Sequence, residues 1–137
     1  MIAKINPTAN LDRYLREDKT FQRLTDEYKK QGSIVIAYDF DGTVYDSEKE
    51  GIEFFIVPEL LRRIRDLDLA KLIVFTGRSE NEYSEIMSYL EKNNIPYDQI
   101  SQNGKSPYNL LLDDRAGLKS AYDTLNRFVK CVEHGYI

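Results

Sequence analysis

The chain has 137 residues, 42% hydrophobic and 31% charged, which fits one globular domain able to bury a core without disulfide staples. A single cysteine, Cys131, and a single histidine, His134, exclude an internal disulfide and argue against a cysteine or histidine metal cluster or a Ser–His triad. Any chemistry must therefore run on carboxylates, hydroxyls, Lys or Arg. The net charge of −4 disfavours a dedicated nucleic-acid binder. Residues 1–14 carry no apolar signal segment, and no stretch reaches the roughly 18 apolar residues of a membrane span. A cytoplasmic protein without a membrane partner is the expectation.

In chain order, residues 1–32 read as a helical extension packed on the core formed by residues 33–137. Leu11, Tyr14 and Leu15 precede Phe21, Leu24 and Tyr28, which recur at helical spacing among mixed charges up to Gly32. Ile34-Val35-Ile36-Ala37-Tyr38 is then a continuous apolar, β-branched run, as in a strand buried on both faces. Pro58 suits a first helical position, and Leu60, Ile64 and Leu67 mark one face of the helix behind it. Leu72-Ile73-Val74-Phe75 is a second buried-strand run. Ser79-Glu80-Asn81-Glu82 matches a capping box, opening a helix that turns Tyr83, Ile86, Met87 and Leu90 inward. Short strands are expected near Tyr97–Ser101 and Asn109–Leu112. The last helix bears Leu118, Ala121, Tyr122, Leu125, Phe128, Val129 and Val132 as one stripe, with Cys131 and His134 structural or facing solvent.

Alternating apolar strands and helices predict one α/β domain: a three-layer, Rossmann-like core around a mostly parallel sheet. Ligands in such sheets bind beyond the carboxyl ends of the strands. Asp39-Phe40-Asp41-Gly42-Thr43, Thr76-Gly77-Arg78 and Asp113-Asp114-Arg115 follow three separate strands. Four carboxylates at one sheet edge repel each other unless a cation neutralises them, and an oxygen-only donor set suits Mg²⁺.

The run Asp39-Phe40-Asp41-Gly42-Thr43-Val44 resembles the first motif of the haloacid dehalogenase (HAD) superfamily of phosphotransferases. Thr76 resembles its second motif and Asp113-Asp114 its fourth. Lys105, the only lysine between Lys92 and Lys119, is the candidate for the third. The resemblance spans about Ile34 to Gly117, and the stretch from Asn94 to Ala116 is similar to small capless bacterial members.

The resemblance implies a role for each position. Asp39 would attack phosphorus and carry an aspartyl-phosphate, and Asp41 would act as general acid and base. Gly42 would let the chain leave the strand sharply. Thr76, Gly77 and Lys105 would hold phosphate oxygens. Mg²⁺ would be held by Asp39, the Asp41 carbonyl and Asp113, with Asp114 in support. Tyr45 would stand at the entrance. Arg78 and Arg115 read either as substrate contacts or as carboxylate partners at helix starts.

Only 34 residues separate Asp41 from Thr76, and 28 separate Thr76 from Lys105. Neither interval holds a cap domain, so an open site is expected. The leading expectation is a Mg²⁺-dependent hydrolase of a small phosphorylated metabolite, a sugar phosphate or a nucleotide. The Leu-Leu-Asp-Asp-Arg run is also similar to deoxyribonucleotidases and to a phage end-processing phosphatase, which keeps a nucleic-acid end as an alternative substrate. A non-catalytic binding domain on the same scaffold is the other alternative, and a response-regulator receiver ranks below both. Oligomeric state is not legible in the sequence.

Overall fold

The computed structural model describes residues 17–51 and 54–137. Four strands, β1 (Ile34–Asp39), β2 (Ala70–Thr76), β3 (Gln99–Gln102) and β4 (Leu110–Leu112), form one parallel sheet in the order β3-β2-β1-β4. Around it lie α1 (Glu17–Gln31), α2 (Ile56–Asp66), α3 (Tyr83–Lys92) and α4 (Leu118–Glu133). The α/β expectation holds, and each expected strand is present within a residue or two of its expected bounds. The part of the N-terminal extension containing Leu11, Tyr14 and Leu15 lies outside the described residues.

The strand pleat divides the apolar residues cleanly. Ile36, Tyr38, Leu72, Val74, Leu110 and Leu112 face the main core, together with the buried residues of all four helices. Ala37, Ile73 and Phe75 face the other way, in a small cluster flanked by Val35 and Leu111, with Tyr108 edge-on to Phe75. Ala37, Ile73 and Phe75 are nearly inaccessible to solvent, so this second face of the sheet is covered as well. The crossovers β1–α2–β2 and β2–α3–β3 step in the same direction across the sheet, and right-handed connections put both helices on one face. The passage from β3 to β4, residues 103–109, contains no helix.

Three local expectations need correction. Pro58 sits third in α2, which begins at Ile56, rather than first; it is still inside the first turn, where a missing N–H leaves no bond broken. The Ser79 capping box does not form. Residues Glu80–Glu82 make a 3₁₀ turn, the Ser79 hydroxyl turns to the side chains of Asn81 and Glu82, and α3 starts only at Tyr83. Met87 is exposed on α3, while Ile86 and Leu90 are fully buried. α1 closes on α4 through Leu24 and through Phe21 and Tyr28, both edge-on to Phe128.

Candidate active site

β1 and β2 pair in register up to Asp39 opposite Phe75, and the Phe40 N–H continues the ladder to the Phe75 carbonyl at 3.1 Å. The chain then turns away at once. Val44 and Tyr45 both donate to the Phe40 carbonyl, and Gly42 donates to the Tyr45 carbonyl at 2.8 Å. Gly42 is the residue this turn requires. Its φ is +85°, and a Cβ there would lie 2.7 Å from Asp114 Oδ2. The loop after β4 is fastened to the same turn, because the Asp114 N–H donates to the buried Thr43 hydroxyl at 3.1 Å. Thr43 is therefore a site residue that sequence reasoning passed over.

The result is a cavity of about 340 Å³ with Asp39, Asp41, Gly77, Arg78, Asp114 and Arg115 in its walls. Ser47, Glu48 and Asn103 also line it. None of the three carries a motif that would have announced it; they arrive on loops whose paths depend on the packed strands.

Asp39 is the unusual group. It is only 4% exposed, and its Oδ2 is buried with no hydrogen-bond partner. One oxygen from each of Asp39, Asp113 and Asp114 can be chosen so that all lie within 4.8 Å of one another. Burial, then the charges of Asp113 and Asp114, push the Asp39 carboxyl up to about 7. An orphaned buried oxygen beside two more carboxylates is what a hard cation relieves, so these residues fit one. Asp113 also accepts the Arg115 N–H at 3.0 Å, with Arg115 Nε 3.6 Å away.

Asp41 has a different partner. Arg78 grips it with two nitrogens, Nε to Oδ2 at 3.0 Å and Nη2 to Oδ1 at 2.7 Å. Hydrogen bonding to Asp41, against the cost of burial, holds the guanidinium even further above its ordinary range. Of the two roles open to Arg78, pairing with a carboxylate is the one formed.

Thr76 is buried at the end of β2, where its hydroxyl accepts the Arg78 N–H at 3.0 Å; it does not line the cavity. Tyr45 is not among the lining residues and stacks on Phe40, ring centroids 5.1 Å apart. Lys105 is not brought in. It is exposed on a turn closed by its own N–H to the Gln102 carbonyl, and Asn103 lines the cavity instead.

Comparison of the chain with protein-family models, with curated proteins and with solved structures returned no match. No described helix is long and apolar enough to cross a membrane.

Proposed function

We propose that this chain is a Mg²⁺-dependent phosphomonoester hydrolase working through an aspartyl-phosphate on Asp39, as a capless member of the HAD superfamily. The observation that carries the reading is Asp39 itself: a buried carboxylate with one orphaned oxygen, clustered with Asp113 and Asp114, in a cavity that Asp41 also lines. A cation binder alone would have no use for Asp41 held by an arginine in the same cavity.

In this reading an Asp39 oxygen attacks phosphorus as the bond to the leaving oxygen breaks, and that oxygen takes a proton from Asp41. Asp41 then receives a proton from water as the water oxygen attacks phosphorus. Phosphate leaves and Asp39 returns to its carboxylate. Gly77 lines the cavity and would offer its backbone N–H to phosphate oxygens, while Thr76 supports the turn through the Arg78 N–H. Lys105 can join only if its turn moves inward. Asp39, Asp113, Asp114 and the Asp41 carbonyl would hold Mg²⁺, which when bound would offset the charge of carboxylates and phosphate. The described intervals between Asp41 and Thr76, and between Thr76 and Lys105, hold only a loop, α2 and β2, then a 3₁₀ turn, α3 and β3. A small phosphorylated metabolite reaching an open site fits that layout.

The test is hydrolysis of para-nitrophenyl phosphate with Mg²⁺. Turnover should vanish in EDTA, return with Mg²⁺, and vanish in Asp39→Asn; Asp113→Ala should raise the Mg²⁺ requirement steeply. An Asp39→Asn protein that keeps near wild-type rates would sink the mechanism.

A further inference from the structure

We propose that Arg78 is a positioning residue for Asp41 and acts on the leaving group through it, rather than by binding phosphate. This rests on the phosphatase reading above. Arg78 meets both oxygens of Asp41 in the planar fork geometry that fixes direction as well as distance.

The arginine is itself held from three sides. Its guanidinium carbon lies 5.3 Å from the Phe40 ring centroid and 5.5 Å from that of Tyr45. Those two rings are stacked, and Tyr89 closes edge-on against both, at 5.6 and 4.9 Å. Its Nη1 reaches Glu82 at 3.8 Å, and its own N–H is fixed on the Thr76 hydroxyl. A side chain meant to swing onto an incoming phosphate would not be lodged against two rings and spent on a neighbouring carboxylate. One meant to hold Asp41 still would be.

The two roles separate by leaving group. Proton donation by Asp41 matters most for an alkyl phosphate, whose alkoxide leaves poorly, and little for para-nitrophenyl phosphate, whose phenolate leaves unaided. Contact between Arg78 and phosphate would matter equally for both. Arg78→Lys keeps the charge but loses the fork. With Mg²⁺ present, it should lower kcat/KM for an alkyl phosphate by roughly tenfold more than for the aryl ester, a fraction of the 10²–10⁴ that general acid catalysis supplies. In the Asp41→Asn background the same substitution should cost nothing further. Tyr45→Leu, which loosens the stack and leaves the guanidinium, should shift the alkyl-to-aryl ratio the same way to a smaller degree, and it provides the readout should Arg78→Lys fold poorly. An equal fall on both esters, or additive losses with Asp41→Asn, would overturn the proposal. Turnover that survives Asp39→Asn would instead remove the phosphatase reading, and the proposal with it.

Discussion

Asp39 has been given an environment that a carboxylate resists. Its raised proton affinity, about 7 in the fold against about 3.9 in an unfolded chain, has a definite sign in stability. Below about pH 4 it is protonated in both states and costs nothing. As pH rises toward 7 the unfolded chain loses its proton first, so the cation-free protein should become progressively less stable across that window. Thermal melts in EDTA from pH 4 to 8 should show the decline, and Asp39→Asn should flatten it. At pH 7.5, Mg²⁺ should raise the melting temperature of the wild type far more than that of the variant.

Gly42 offers a second residue-level test. Gly42→Ala meets both a left-handed φ, about 1–2 kcal/mol for a residue with a Cβ, and the Asp114 carboxylate. Urea titrations should show a loss of that order or more, and part of it should disappear in an Asp114→Ala background. The aspartates were legible because an apolar run ending in Asp-x-Asp-Gly names a strand end and its turn. The grip of Arg78 on Asp41 was not, since choosing between Asp41 and a substrate requires knowing that Asp39 pairs opposite Phe75. Lys105 stands out only as the one lysine between Lys92 and Lys119, and no pattern encodes which way a turn faces.

At the level of elements, periodicity located strands and helices well and located their ends poorly. The chemistry of an end depends on one or two bonds. Ser79 illustrates it: the residues of a capping box are present, but its hydroxyl bonds side chains and leaves the helix N–H groups alone. Ser79→Ala should therefore cost under about 0.5 kcal/mol in chemical denaturation, against about 1 for a working cap. Asp98 is the reverse case, unremarkable in sequence and structural in the fold. It accepts the Leu72 N–H at 2.8 Å and pairs with Arg65 at 3.0 Å, tying β2, α2 and the approach to β3 together. Burial pushes its carboxyl up, but Arg65 and the Leu72 N–H outweigh that and hold it below its ordinary value. No window of sequence around Asp98 contains either partner.

Across the whole molecule, α1 and the acidic cavity involve separate sets of residues. Leu24 is 1% exposed and shares the core with Phe128, yet α1 contributes nothing to the walls around Asp39. Leu24→Ala should cost about 2–5 kcal/mol, as large-to-small core changes do, and leave the ranking of phosphomonoester substrates unchanged. A changed ranking would mean that the N-terminal region borders the site. What covers the face bearing Ala37, Ile73 and Phe75 is out of reach of pattern reading for a related cause. A strand buried on both faces looks the same whether a helix or a loop covers its second face.

The strand order has a consequence for a chain made from its N-terminus. β1 is central, but its partner on one side, β4, is synthesised only after β2 and β3. Until Leu110–Leu112 leave the ribosome, Ile34–Tyr38 presents an open, apolar, uncharged edge capable of pairing with another nascent chain. A message truncated before Leu110 should thus give an aggregating product rather than a smaller soluble fold. Since Asp113 and Asp114 emerge directly behind that closing strand, the mutual repulsion of the three carboxylates would arise only once the open edge has been sealed.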